Sequence, residues 1–323
     1  MTVAEALDVL AARTPSIEVT GVTDYFSTRS YRRDVAAWKA GAGQRAWMLF
    51  PNVELRLDIV TARSHPLNLH LLCAPDQIDE LDKFLSSLEF KFDRPYRCDD
   101  EGLRSLGRAH RADPSLDDEA ALRHGASQFK VTFDQLQERF ATDSWARSHC
   151  LIATAGGNDG PPGLRTTDGS FDARRQMLEK FAHVIFSGRP KDAEFWSGQT
   201  NTASIEDIER DYGRVKACIH GSDAHSPDKL GAPDMKRYTW IKGNRTFDAL
   251  RLSCLAPATR VHVGEQAPDA DLTHGRLKAV SVDRPDWFGS GTVPLNSGLV
   301  AIIGSRGSGK TALADLIAVA AGS

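Results

Sequence analysis

Residues 215–225 read "VKACIHGSDAH". A short apolar run, too apolar for the open face of an antiparallel sheet, breaks at a Gly-Ser pair, and an aspartate and a histidine follow at once. The segment before it, "IEDIERDYG" (205–213), has helical character. One unit upstream the arrangement repeats: a helix around Arg174–Phe181 leads into the strand "AHVIFSG" (182–188). Strands that alternate with helices predict a parallel α/β sheet or barrel, and in such folds reactive groups gather where strands run out at their carboxyl edge.

The N-terminal half continues the pattern. "VAEALDVLAAR" (3–13) spaces Val3, Leu7 and Leu10 along one helical face, and "SIEVTGVTDY" (16–25) follows as a β-branched strand. A helix over "SYRRDVAAWKAG" leads to the strand-like "RAWMLFPNVELRLDIV" (45–60). The strand "LNLHLLCA" (67–74) and the helix "DQIDELDKFLSSLEF" (76–90) come next. Residues 93–145 are polar and mostly helical, an insertion or helical layer, before "SHCLIATAGGNDGPPGLR" (148–165) opens a further strand into a Gly/Pro-rich loop. From Ala256 the texture changes to "APATRVHVGEQAPDADLTHG", which reads as a linker. The expected division is a first domain over 1–264, a linker over 265–274 and a second domain over 275–323.

Composition narrows the function classes. Charged residues make up 26% and hydrophobic residues 41%, the balance of a soluble globular protein, and the net charge of -3 supplies no global basic field for nucleic acid. Five cysteines, scattered and never in a C-x-x-C pair, argue against a disulfide framework or a zinc ribbon and fit a reducing cytosol. No basic, apolar leader opens the sequence, and no apolar run approaches the ~20 residues of a membrane span. The expectation is a cytoplasmic protein without a membrane partner.

Polar residues stand in or after the strands one after another: Asp24 after "EVTGVT", Glu54 after "FPNV", His70 inside "NLHLL", and Asp223 with His225 after "ACIHGS". Acids and histidines converging from separate strands suit divalent zinc, manganese or iron, and paired ions of that kind activate water and clamp a phosphoryl group. Each also has a plainer role open to it. Asp24 can cap a helix, Glu54 can be a solvated charge, His70 can be a satisfied core histidine, and "GSDAHS" can be a turn.

The segments "GVTDY", "PNVEL", "NLHLL" and above all "IHGSDAHS" resemble the polymerase-and-histidinol-phosphatase (PHP) metal-dependent phosphoesterases. With "RYTWIKGNRTFDALR", "TRVHVG" and "LNSGLVAIIGSRGSGKT", the chain resembles the subgroup that fuses a PHP domain to an SMC/ABC-like P-loop ATPase, the TrlF-like ATPases. The resemblance implies a distorted (β/α)7 barrel with metals at the carboxyl ends of its strands. Glu54 would bridge ions, His70 would bind a second one, and Asp223 and His225 would ligate from the last motif. Departures accompany the matches. No His-x-His precedes the first strand, Tyr25 stands where the family's Thr-Asp-His motif ends, and "ATAGGNDG" replaces a His-Pro strand end. Asp159 and His149 lie nearby but off the motif. The expectation is a barrel lacking its first strand, followed by the N-terminal start of a P-loop NTPase domain, in a chain truncated at both ends.

Residues Gly304, Ser305, Arg306, Gly307, Ser308, Gly309, Lys310 and Thr311 satisfy G-x-x-x-x-G-K-[ST] between an expected strand (Leu299–Ile303) and an expected helix (Ala312–Ala320). In such a loop backbone N–H groups cradle phosphates, the lysine reaches the β- and γ-phosphates, and the threonine ligates Mg²⁺. ATP with Mg²⁺ is therefore the expected ligand, beside divalent Mn, Zn or Fe in the first domain. No Walker B strand is visible, so little ATPase activity is expected of the chain by itself. Three readings stand for the parent protein: a metal-dependent phosphoesterase, with nucleic acid as one substrate, coupled to ATP; a catalytically decayed PHP-like module regulating an ATP-driven machine; or an ATPase for which the first domain is only scaffold. A homodimer through the complete ATPase domain is an expectation from resemblance.

Overall fold

The computed structural model describes residues 3–40, 48–61, 65–157, 160–164, 170–222, 224, 226–268, 277–284, 289–295 and 300–321. The chain divides into two compact units, residues 1–267 and 268–323.

The first unit is mixed α/β and is built on six strands: β1 (Val19–Tyr25), β2 (Met48–Val60), β3 (Pro66–Cys73), β4 (Cys150–Ala155), β5 (Val184–Phe186) and β6 (Ala217–Ile219). They lie in one sheet in chain order. Pairing is parallel throughout except around β3, which runs antiparallel to β2 and to β4. This corrects the all-parallel expectation. Only five residues, 61–65, separate β2 from β3. A parallel connection needs a dozen or more, so the chain turns straight back, with the Thr61 N–H bonded to the His65 carbonyl at 2.8 Å. The six strands in chain order are compatible with the expected barrel lacking its first strand. Among the described residues the sheet is a curled, open half-barrel with β1 and β6 at its edges.

Alternation sorts the side chains. One face carries Val53, Leu55, Leu57, Leu67, Leu69, Leu71 and Ile152 into the larger core. After helices α1 (Val3–Ala12) and α2 (Arg29–Ala40), that core is completed by α3 (Ile78–Ser86), α4 (Asp100–Arg111), α5 (Asp118–Gln128), α6 (Phe133–Thr142), α7 (Ser144–His149) and α8 (Ser170–Phe181). The polar, helical stretch 93–145 is thus largely the layer that covers this face. Its helices begin at carboxylate and hydroxyl caps: Asp99 accepts from Gly102 N, Asp117 from Ala120 N and Thr132 from Gln135 N. Further along the same face, Ile185 and Cys218 pack on Trp196 and Ile208.

The opposite, concave face is apolar at one end only. Met48, Phe50, Leu72, Leu151, Ala153, Val184 and Ala217 form a floor sealed by Phe247 and Leu250 of the helix Phe247–Leu255. Toward the carboxyl edge of the parallel strands the same face turns polar.

In the second unit, Ala279–Arg284 and Gly289–Pro294 form an antiparallel hairpin, with Ser281 Oγ and Thr292 Oγ1 2.8 Å apart across it. The strand expected over Leu299–Ile303 is not formed at residues 300–303, which have no regular structure. Among the described residues no neighbouring strand supplies a ladder there, and an isolated strand leaves its N–H and C=O groups unpaired. The expected helix is present, as Lys310–Ala320, and none of its residues is buried.

Candidate metal centre at the carboxyl edge of the sheet

The site is assembled by register. Tyr25 of β1 pairs with Glu54 of β2, and Glu54 pairs with His70 of β3. Directly paired residues share a face, so these three side chains belong to the concave face. The reversal of β3 matters here, because it brings the first half of that strand, with Asn68 and His70, level with the second half of β2. Thr23, Asn52 and Arg56 lie on the same face by alternation.

Curling closes the group. His70 reaches over the small Ala153 and Ala155 of β4 to Phe186 of β5, the rings meeting edge-to-face with centroids 5.0 Å apart. Two strand spacings on a flat sheet would separate them by about 9.5 Å.

Each polar side chain has a defined partner. Thr23 Oγ1 accepts from Asn52 Nδ2 at 2.7 Å, and Asn52 Oδ1 lies 3.1 Å from His70 Nδ1. Burial pushes the His70 imidazole down to about 4, so the ring is neutral at neutral pH. Glu54, only 8% exposed, accepts from Asn68 Nδ2 at 2.5 Å. The oxygen of that same amide, Asn68 Oδ1, is buried and has no hydrogen-bond partner. The Arg56 guanidinium lies over the Tyr25 ring, 4.4 Å from its centroid.

The donor set fits a divalent cation. A buried carboxylate, a neutral imidazole and a buried amide oxygen without a donor are hard and borderline ligands on one concave face. Glu54, His70 and Asn68 would hold such an ion. Among the described residues, no three His, Cys, Asp or Glu side chains come together as a ligand group. Asn68 Oδ1 is a ligand type outside that set.

The remaining expected residues fall in different places. Asp24 pairs in register with Val53, on the other face of the sheet, and its carboxylate accepts from the N–H groups of Tyr25 and Ser30 at 2.9 and 3.1 Å. Ser30 lies in the first turn of the helix Arg29–Ala40, so Asp24 holds that helix entry rather than joining Glu54. Asp223, His225 and Asp159 lie outside the described residues. His220, just after β6, is fixed by its Nδ1 on the Arg237 carbonyl at 2.8 Å. His149 stacks on Trp145 at the start of β4, the opposite end from the site.

Sequence reasoning passed over Thr23, Asn52, Arg56 and Asn68. The signal was present: Asn52, Glu54 and Arg56 alternate with Val53, Leu55 and Leu57, a period-two polar stripe within an otherwise apolar strand.

In the second unit, Gly307 and Gly309 take φ of 80° and 82°, a region that side chains with a Cβ rarely adopt. The loop they shape folds Lys310 back on itself, its Nζ donating to the carbonyls of Gly304 at 2.9 Å and Ser305 at 2.7 Å. The helix begins at Lys310, directly after Gly309.

No protein-family description matches the sequence, and no curated protein matches it. Among solved structures, the chain is similar to a candidate metal-dependent phosphoesterase from Bifidobacterium adolescentis. The TM-score is 0.32 and the identity 11%, over 78% of this chain and 91% of that one. No helix among the described residues is long and apolar enough to cross a membrane.

Proposed function

We propose that the first unit is a metal-dependent phosphoester hydrolase of the PHP type and that the second binds ATP with Mg²⁺ through residues 304–311. The observation that carries the first part is the pairing of Glu54 with His70 on the concave face, beside an amide oxygen that lacks a donor. The PHP-like motifs in the sequence support it, and Asp223 and His225 would add ligands from the segment after β6. A divalent ion bound there would lower the pKa of a water molecule and polarise a phosphoryl oxygen. The protein's own part is to anchor Glu54 through Asn68, to keep His70 neutral by burial, and to offer the Arg56 cation to an anionic substrate. Nucleic acid is a proposed substrate. In the second unit, phosphate oxygens would take the place of the Gly304 and Ser305 carbonyls as partners of Lys310. The N-terminus of an 11-residue helix would add its positive dipole end. Dimerisation around ATP is a further proposal, carried by the sequence resemblance alone.

Calorimetry with Mn²⁺ or Zn²⁺, followed by assay on a nitrophenyl phosphodiester, tests the first part. Wild type should bind metal and turn over substrate, and Glu54→Gln and His70→Gln should each lose at least tenfold in metal affinity. Metal affinity unchanged in both variants defeats the reading. A second reading, a decayed module that binds without turnover, is favoured by Tyr25. That side chain, 42% exposed, supports Arg56 in the place where the family's motif carries a histidine. Phosphodiester binding that survives without metal and without turnover would establish it.

A further inference from the structure

We propose that Thr23 and Asn52 form a relay that fixes the tautomer of His70, making Asn52 a positioning residue of the candidate centre. This rests on the metal-site reading above but adds residues that neither the motifs nor the resemblance assign.

The chemistry follows from the orientation of one amide. Asn52 Nδ2 donates to Thr23 Oγ1 at 2.7 Å, so in this arrangement the hydroxyl accepts and the nitrogen end of the amide is turned toward β1. That orientation turns Oδ1, which only accepts, toward His70 Nδ1 at 3.1 Å. An acceptor facing Nδ1 requires the proton there, and a neutral ring has one N–H, so Nε2 carries the lone pair. Asn52 is itself only 8% exposed, which limits competition from water for the same positions. The three residues come from three adjacent strands in fixed register: Thr23 opposite Asn52, and His70 two positions along β3 from Leu72, the partner of Asn52. The ladder thus brings the three groups together before any ligand arrives, and the orientation of the Asn52 amide selects the tautomer. Ring-orienting partners of this kind typically change metal affinity by 10–100-fold when removed.

The test uses residues 1–323 with ¹⁵N-labelled histidine, stripped of metal with a chelator. Long-range ¹H–¹⁵N spectra separate a protonated ring nitrogen from one with a lone pair, and His70→Gln identifies the His70 signals. Wild type should show a single tautomer protonated at Nδ1. Asn52→Leu should shift the population toward Nε2–H, Thr23→Val should produce a mixture, and Asn52→Asp, which keeps an acceptor oxygen, should retain Nδ1–H. Backbone amide spectra check folding, and Thr23→Val serves if Asn52→Leu does not fold. Zn²⁺ titration should then show at least a tenfold loss in Asn52→Leu and recovery in Asn52→Asp. Nδ1–H in wild type without Zn²⁺ binding would uphold the relay and defeat the metal-site reading. Nε2–H in wild type, or a tautomer unchanged in both Asn52→Leu and Thr23→Val, would overturn the relay whatever metal is bound.

Discussion

Lys216 is fully buried, and its Nζ donates to the carbonyls of Ala182 at 2.9 Å and Tyr212 at 3.2 Å. A neutral amine has two N–H bonds, so those two carbonyls satisfy it without a charge. Burial is the main cause that pushes its pKa down to about 7, with Arg214 adding repulsion and Glu179 partly opposing it. The unfolded chain holds this proton up to about pH 10.4, the folded chain only to about pH 7. The resulting contribution is fully present above the unfolded pKa, is lost as pH falls toward 7, and is flat below. At 1.36 kcal/mol per pKa unit, wild type should gain on the order of 3 kcal/mol relative to Lys216→Met between pH 7 and pH 10. Denaturant unfolding of both proteins across that range checks it, and a difference independent of pH would contradict it. The sequence does not disclose this lysine, because "VKACI" reads as an apolar strand with one ordinary solvated charge. The same limit hid Asn52 and Asn68. Glu54 and His70 stand out as chemistry-bearing types, whereas an asparagine gains a role only from its neighbours across the sheet.

Two helices approach each other closely through glycine. A Cβ on Gly107 of α4 would lie 2.0 Å from the Ala121 carbonyl oxygen, and one on Gly125 of α5 would lie 1.8 Å from that of Leu103. Both would strike backbone, which cannot rotate aside as a side chain can. Gly107→Ala and Gly125→Ala should each destabilise by about 1–3 kcal/mol or more, although alanine favours helix by up to about 1 kcal/mol. Chemical denaturation measures the balance, and an unchanged or raised midpoint in either variant would show that the helices do not cross this way. From sequence alone these glycines look like weak points in a polar helical stretch. Their purpose depends on a partner 18 positions away. The direction of β3 was more accessible, since five residues between two strands already exclude a crossover. Apolar strands suggest parallel pairing, but connection length decides the matter here.

Apolar burial is divided very unevenly between the two units. In the first, Val53, Leu55, Leu57, Leu67 and Leu69 are fully buried under a helical layer. In the second, Ile303 is 89% and Val319 73% exposed, and the helix Lys310–Ala320 has no fully buried residue. The two chemistries the sequence announces are thus unequally supported: the strands around Glu54 and His70 have a core beneath them, while the glycine-rich loop depends on local geometry. Periodicity made the helix after the loop readable. The strand before it was not, because a strand is defined by a neighbour that a one-chain pattern cannot supply. Amide exchange should report the contrast directly. Without ligand, amides of Val53, Leu55 and Leu69 should exchange only through global opening, and those of Leu313–Val319 should exchange orders of magnitude faster by local fraying. MgATP should slow exchange at residues 307–313, where N–H groups and Lys310 would meet phosphate, and should do so in Glu54→Gln but not in Lys310→Ala. Protection of the helix equal to that of β2 without nucleotide would refute the unequal division. Slowing by MgATP that persists in Lys310→Ala would move nucleotide binding away from this loop.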